Sequence, residues 1–499
     1  MVVVQYYPSV EKMKKTNQTL IKLVKPKVMK KVIIFCLAAV LAASTQAQES
    51  MGIANSNYAG TQGVHLNPSS IVDSKIWLDV HLIGAGAYVY NNYFYFPQAT
   101  PFTRPFPEGR DRYVLGNVYR GDLNVDIWGP AFTLSLGKHA IGLHTAIRSF
   151  TDATRIPAPM AKFMFEGLNY APQLGIMYHA ENIKATSLTW GEIGITYGTI
   201  ISRKQDNLWT GGITAKYLSG INSLALDINK IDYEVLNDSD LYVTQVTGKY
   251  GMVEPGFGAG QGFSVDLGVA YKKMLDDVDR YVPHDCEVKD YRYKLGISLM
   301  DVGAIKFKKN AVYQEYSNTD ALWSNYDTAN INSIGTTDQN LNNNINNGAA
   351  QNVRGTSFRT WLPSYASVQF DYNFGHYIYA NATIIQGFRI QAPFGVHRRS
   401  TIAITPRYER KRWEVAIPVS LHDFRNFQAG IMLRLNNLII GTDNIIPLIA
   451  RTDMKGADIY FHLKIPILKN PKCGTKKHNK GKKGKSGKRG HDDSCPAYQ

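Results

Sequence analysis

Along most of the chain, apolar and polar residues alternate one by one, which is the signature of strands with two different faces. In GFSVDLGVAYKK, Phe263, Val265, Leu267, Val269 and Tyr271 share one face, and Ser264, Asp266, Gly268, Ala270 and Lys272 share the other. SYASVQFDYNF sets Val368, Phe370 and Tyr372 against Ser367, Gln369 and Asp371. KRWEVAIPVSL and GADIYFHLKIPIL repeat the pattern near the C-terminus. A soluble sandwich alternates too. The apolar face here is continuous, however, while the polar face carries charge, and each segment has about the 10 residues a tilted strand needs to cross a bilayer. The chain holds 30 Tyr, many near strand ends, where aromatic girdles meet the membrane interface. Closing the sheet removes edges that lipid would not tolerate. The expectation is an all-β, antiparallel transmembrane barrel.

Connections set the strand number. From the C-terminus, strands are predicted near 457–467, 438–447, 427–435, 412–421, 399–409, 376–387 and 364–374, with short and long connections alternating. Upstream, strands are predicted near 290–308, 262–272, 208–218, 186–200, 139–149, 121–136 and 76–90, giving about 14 in all. Residues 223–247 also alternate and fit a hairpin outside the membrane. Residues 150–185 and 311–360 are expected to be external loops, the second including the Asn-rich TTDQNLNNNINNGAAQNVRG.

Export fits this reading. MKKVIIFCLAAVLAASTQAQES from Met29 has a basic start, an apolar core and a small-residue cleavage site at Ala47, so residues 29–47 are expected to be a signal peptide and 1–28 an upstream extension. No other apolar run approaches the roughly 18 residues of a spanning helix. The formal charge of +16 is concentrated at the ends: +7 lies in residues 1–47, +8 in 469–499, and about +1 in the long body between. The basicity belongs to the two ends and says nothing about the body, no nucleic-acid partner is expected, and the Lys-rich tail is expected to be disordered in the periplasm. Cys473 and Cys495 could close a loop around that tail or remain free.

Between the signal and the first strand lies YAGTQGVHLNPSSIVDS. Gly60 and Gly63 permit tight bends, and Asn67 followed by Pro68 suits a helix N-cap with Pro at the first position, so NPSSIVDS is expected to make a short helical turn. Residues 48–75 are read as a plug or hatch, with Gly60, Gly63, Asn67, Pro68, Ser69 and Asp73 as its key positions. The barrel is placed at 76–468. Its inward polar side chains, among them Asp266, Asp371, Arg407, Glu414 and Arg434, are candidate partners for the plug.

No catalytic or metal-binding set stands out, and no cofactor is expected. G-x-S-x-G and H-E-x-x-H do not occur. His139 and His144 are five apart, which in one strand puts them on opposite faces. GFGAGQG at 256–262 resembles a phosphate loop only in composition, since a strand is expected after it. Asp276, Asp277 and Asp279 read as an exposed turn, lacking EF-hand spacing.

An Asn-Pro-small segment ahead of a barrel of this size resembles the FadL-like superfamily of long-chain fatty-acid transporters. SNYAGTQGVHLNPSSIVDS, GISLMDVGAIKF, LPSYASVQFDYNF, ITPRYERKRWEVAIPVSL and LIIGTDN further resemble an uncharacterised family of Bacteroidota outer-membrane barrels. Some members of that family continue into a calcium-repeat linker and a peptidoglycan-binding domain; this chain has the Lys-rich tail there. The resemblance implies an outer-membrane barrel of a Gram-negative bacterium, both termini periplasmic, in contact with outer-membrane lipid. The expected function is passive transport of a small solute, a hydrophobic ligand included, through a hatch-gated barrel. The alternative is an assembly scaffold that engages a periplasmic or surface protein through the Lys-rich tail or the Asn-rich loop.

Overall fold

The computed structural model describes residues 50–471 except 94, 96–115, 117, 167–170, 285–287, 326–333, 346–351, 391 and 450–452. The signal segment, Cys286, Cys473, Cys495 and nearly all of the Lys-rich tail therefore lie outside the described residues.

The strands run in chain order from β1 (Leu78–Asn91) through β2 (Val118–Trp128), β3 (Ala131–Leu136), β4 (His139–Pro157), β5 (Met177–Lys204) and β6 (Asn207–Val235). Next come β7 (Leu241–Val253), β8 (Gly260–Met274), β9 (Tyr291–Phe307), β10 (Ala311–Trp323) and β11 (Val353–Gly355). Then follow β12 (Phe358–Trp361), β13 (Tyr365–Gly375), β14 (Ile378–Gly387), β15 (Phe394–Gly395) and β16 (Thr401–Glu409). The last are β17 (Trp413–Ala416), β18 (Val419–His422), β19 (Asn426–Ala429), β20 (Ile431–Leu435), β21 (Leu438–Thr442) and β22 (Gly456–Ile467).

Three wall strands are interrupted: β2 and β3 at Gly129-Pro130, β17 and β18 at Ile417-Pro418, and β19 and β20 at Gly430. Proline supplies no ladder N–H, which accounts for the first two breaks. Counted as continuous, the wall has 14 antiparallel strands, and β22 returns to pair with β1 from Leu78↔Ile467 onward. The barrel is closed.

Its two faces are inverted relative to a soluble protein. On β8, Phe263 is 70 % exposed while the adjacent Ser264 is 2 % exposed, and Leu267 is 47 % exposed beside Asp266 at 2 %. Ile195, Ile213, Ile297, Ile384, Ile404 and Leu463 all point outward in the same way. Such a belt is stable only against lipid. Near the end with the short turns, Trp209, Tyr271 and Tyr293 form one run of ring contacts, and Tyr377, Tyr408 and Trp413 another. Arg410 lies 4.2 Å over the Tyr377 ring. This is the interfacial girdle the tyrosine content predicted.

At the opposite end the wall grows far beyond a bilayer. β5 and β6 run 28 and 29 residues, where about 10 span the hydrocarbon. The first half of β6 pairs with β8 in the wall, whereas Leu224–Val235 pairs with β7, which in turn pairs with β10. Residues 223–247 thus do form a hairpin beyond the wall. The two expected loops are largely structured instead. Residues 150–185 are mostly strand, with a helix at Ala158–Glu166. Residues 311–360 contain β10, a helix at Ile334–Asn344 over much of the Asn-rich stretch, β11 and part of β12. The reason is a second core of ordinary polarity, in which Tyr233, Val243, Tyr250, Met252, Tyr316 and Trp323 pack inside the lobe. Leu341 from the helix packs against it, and Arg354 pairs with Asp338 at 2.6 Å. Among the described residues no helix is long and apolar enough to cross a membrane, which says nothing against a crossing by strands.

Candidate functional site

Residues 50–76 sit inside the barrel. Three one-turn helices, Met51–Ala54, Thr61–Val64 and Ser70–Asp73, make a compact coil that is almost wholly buried. The sequence pattern predicts Asn67 as the cap of the last of them with Pro68 at its first position; instead the two form a turn just ahead of it, and Ser69 takes the N-cap position. Asn67 Oδ1 accepts from the Ser69 N–H at 3.0 Å and from its hydroxyl at 2.7 Å, while the Ser70 N–H donates to the Asn67 carbonyl. The assigned helix begins at Ser70, one turn into this arrangement.

The wall is shaped to receive it. Gly198, Gly212 and Gly268 face one another in register on β5, β6 and β8. A methyl group on Gly212 would lie 2.4 Å from the Pro68 carbonyl carbon, and one on Gly268 would lie 2.1 Å from Asn67 Oδ1. Only glycine permits the plug backbone to come this close. Gly60, at φ +59°, is held against Asp79, where a side chain would strike the carboxylate. Gly63 packs against Ala59 and Ser70 within the plug itself.

Hydrogen bonds and one ion pair tie the plug to the wall from β8 round through β22 to β1, and apolar contacts meet it at Ala140 on β4. The Met51 N–H donates to Asp443, Asn55 to Thr383, and Ser56 to Glu414 at 2.7 Å. Asn57 donates twice to Glu409, and Thr61 donates twice to Asp79. Asn67 donates to Gln369 at 3.0 Å, Ser298 to the Leu66 carbonyl, and Tyr365 to the His65 carbonyl. Lys464 donates to the carbonyls of Tyr58 and Ala59. Asp73 pairs with Lys272 at 2.8 Å.

The five inward side chains singled out from sequence are all buried, and they fall into two ionic networks. Arg407 grips Asp371 with two N–H groups at 2.6 and 2.8 Å and reaches Glu409 at 3.0 Å, and Tyr291 donates to Asp371. Arg434 pairs with Glu414 at 3.0 Å and lies 4.6 Å over the Tyr58 ring. Asp266 belongs to the second network, with Lys216 bridging it to Asp301 at 2.7 and 2.6 Å and Arg148 joining Asp301 to Asp126. Of the five, Glu414 and Arg434 touch the plug directly; Asp371 and Arg407 act through Glu409, and Asp266 lies one residue back. Sequence reasoning missed Asp79, Glu409, Lys464 and Lys272 as plug partners. Alternation would have found Glu409, which shares a face with Arg407 two positions away.

The electrostatics of the plug follow from this burial. Burial works against a charged Asp73, but Lys272 and Lys294 outweigh it and hold the carboxyl below the usual range. Burial pushes the Tyr58 phenol up to about 12, against Lys75. A depressed carboxyl contributes stability that is present above its unfolded value of about 4 and lost as pH falls through the folded one. Acidification below pH ~4 is therefore expected to loosen the plug's last turn, and Asp73→Asn to loosen it already at pH 7. Hydrogen exchange at residues 67–74 measures both.

Little room remains. Between plug and wall, a cavity of about 40 Å³ is lined by Gln62, His65, Asp126, Trp128, Arg148 and Lys216 among others, enough for roughly three waters. A shallower concavity of about 600 Å³ lies on the outer wall behind Asn67, between Tyr197, Ile201, Ile213, Leu267 and Ile297. In a membrane, acyl chains cover it.

His139 is outward and bonded to Tyr197, while His144 is buried beside Glu192, so the two do take opposite faces. GFGAGQG leads into β8, and Asp276, Asp277 and Asp279 lie in an exposed turn.

A profile of a family described as a family of unknown function (DUF5723) matches residues 68–443. No curated protein sequence matches the chain. Among solved structures, the chain is similar to the TodX deltaS2S3 mutant monoaromatic hydrocarbon channel at 9 % identity, with 82 % of this chain and 94 % of that one covered and a TM-score of 0.41. The CymD monoaromatic hydrocarbon channel follows at 9 % identity, 85 % and 98 % coverage and a TM-score of 0.33. The translocator domain of the autotransporter NalP from Neisseria meningitidis gives 8 % identity, 83 % and 99 % coverage and 0.32. Likeness at this level says nothing about what this chain carries.

Proposed function

The chain belongs to the family of unknown function (DUF5723), and from its own geometry we propose that it is an outer-membrane barrel for passive, non-enzymatic transport of a small solute, gated by the segment 50–76. One observation carries this reading: the plug is a separate coil docked in the lumen, not a continuation of the wall, and beside its apolar contacts with the wall at Met300, Met432 and Ala140 it is held by many polar ones. The hydrogen bonds and ion pairs of that interface can be exchanged one by one for water as a solute enters, which lowers the cost of displacing the plug. The charged inner wall favours a hydrated path and a polar or amphipathic solute over a purely hydrophobic one. The short-turn end, where β1 begins and β22 finishes, would face the periplasm, as in barrels with short periplasmic turns.

A lock tests it. Asn55 and Thr383 are in side-chain contact at 3.0 Å, so Asn55→Cys with Thr383→Cys in a background free of other cysteines ties plug to wall. Liposomes carrying the oxidised barrel are expected to exclude arabinose and octanoate, and reduction to restore whatever uptake the unmodified protein shows. Equal uptake in both states would sink the gate.

A second reading has its own support in the lobe beyond the wall. Its apolar core holds the Asn-rich helix in place, which suits a contact surface for a surface-protein partner. Removing residues 311–357 while keeping solute uptake would separate that role from transport.

A further inference from the structure

The upper edge of the lipid belt is drawn across four neighbouring strands. Tyr217 on β6, Phe263 on β8, Ala304 on β9 and Trp361 on β12 stand in one cross-strand row. Tyr217 and Phe263 are exposed, with their rings 5.6 Å apart edge to face. Along β9, the stretch from Tyr293 in the lower girdle to Ala304 rises by roughly 25 Å at the usual tilt, the height of the apolar band of such a barrel. Aromatic rings at both levels mark the two membrane interfaces.

The next row outward is Ser219, Gln261, Lys306 and Arg359 on the same four strands. Lys306 and Arg359 therefore lie directly opposite one another on one face, and both are exposed. Like charges so placed destabilise a sheet, and among the described residues neither takes part in an ion pair. Lys308 and Lys309, exposed in the turn after β9, add to the positive field. Two carboxylates belong to the same neighbourhood: Glu254, whose N–H donates to the Asn310 carbonyl at 3.4 Å, and Glu315, which accepts from the Tyr313 hydroxyl at 2.9 Å. Set against the cations of Lys306, Lys308, Lys309 and Arg359, they leave the patch positive. A concavity of about 380 Å³ opens beside the pair, lined by Lys306, Arg359, Tyr313, Phe358, Ala392 and Pro393 among others. The Trp361 indole N–H donates to the Ala392 carbonyl at 3.2 Å, which holds that rim against β12.

With the short-turn end in the periplasm, as proposed above, this row faces the outer leaflet. We propose that Lys306 and Arg359 bind the phosphate of a phosphorylated lipid headgroup there. The level fits, because two residues beyond the aromatic row is roughly 5 Å along the membrane normal, just outside the apolar band. A phosphate between the two cations replaces their repulsion by two attractions. Arg359 can take two phosphate oxygens in one plane, and Lys306 supplies a point charge. The surroundings favour a lipid over a free ion. Phe358, Ala392 and Pro393 offer apolar surface to the carbons next to the phosphate, and the acyl chains continue down the belt past Trp361 and Phe263.

The test uses the full mature chain folded in detergent, titrated with lipid A and followed by native mass spectrometry. One lipid A is expected to be held per barrel, and its dephosphorylated form at least tenfold more weakly. Lys306→Gln with Arg359→Gln is expected to weaken retention by roughly tenfold or more. Lys411→Gln with Arg412→Gln, the same change of charge in an exposed turn at the opposite end, should leave it unchanged. Gel shifts with and without boiling check that each variant is folded. Undiminished retention by the Lys306 and Arg359 variant overturns the proposal. So does equal retention of dephosphorylated lipid A, or an equal loss in the Lys411 and Arg412 variant. Displacement of lipid A by an equal concentration of inorganic phosphate overturns it too, since the pair would then hold a free anion. If the Lys306 and Arg359 variant fails to fold, the comparison of the two lipids decides. None of these measurements involves the plug, so the site stands or falls apart from the gate.

Discussion

Deleting residues 52–74 is expected to convert a closed barrel into a conducting one. Eight-stranded barrels are filled by their own inward side chains, whereas those with 16–18 strands hold an aqueous channel. A wall of 14 strands lies between, and here the plug occupies the lumen, with small cavities of about 40 and 10 Å³ beside it. What remains after deletion is lined by Asp79, Glu409, Glu414, Lys464 and Arg434, groups that draw in water. These keep counter-charges in the wall, Glu414 with Arg434, Glu409 with Arg407 and Asp79 with Lys464, so the barrel is expected to fold. Arabinose entry in liposome swelling should rise by on the order of tenfold or more, with stepwise conductance in planar bilayers. A deletion protein that folds and stays closed would show that the wall itself, and not the plug, blocks the lumen.

The features legible in the sequence are those set by near neighbours. Alternation gives each strand its faces, and an apolar outer face with charge opposite is enough to separate a membrane barrel from a sandwich. The turn at Asn67-Pro68 is legible for the same reason, since its capping bonds span two or three residues. Strand length was not legible at β5 and β6. Alternation resumes in the lobe after a bulge that changes its parity near Ile221, and period two does not say whether lipid, water or another strand covers the outer face. The helix within the Asn-rich stretch was hidden too, because its few apolar residues, Ile334, Leu341 and Ile345, matter only against a core made by β7 and β10. Inward charges could be named from parity, but not paired. Arg407 finds Asp371 two wall strands away, and that distance follows from ring closure and register, to which local pattern is blind.

Arg407→Met is expected to be among the most damaging single changes in the wall. The guanidinium is 3 % exposed and holds Asp371 with two hydrogen bonds and Glu409 with a third. Glu414 lies 3.9 Å from it. Methionine matches the stem in volume, so packing is largely kept, and what is lost is the charge that keeps three buried carboxylates near one another. Removing one partner of a buried pair costs about 3–5 kcal/mol because the other charge stays behind. The damage should reach the plug, since Glu409 also accepts both Asn57 bonds. Urea unfolding followed by tryptophan fluorescence should show the loss as a lower midpoint with an unchanged slope. Adding Asp371→Asn to Arg407→Met should recover part of it, because the amide leaves no uncompensated charge opposite the methionine. If the double variant were as unstable as the sum of the two single ones, the pair would be uncoupled, and Arg407 would matter for its bulk alone.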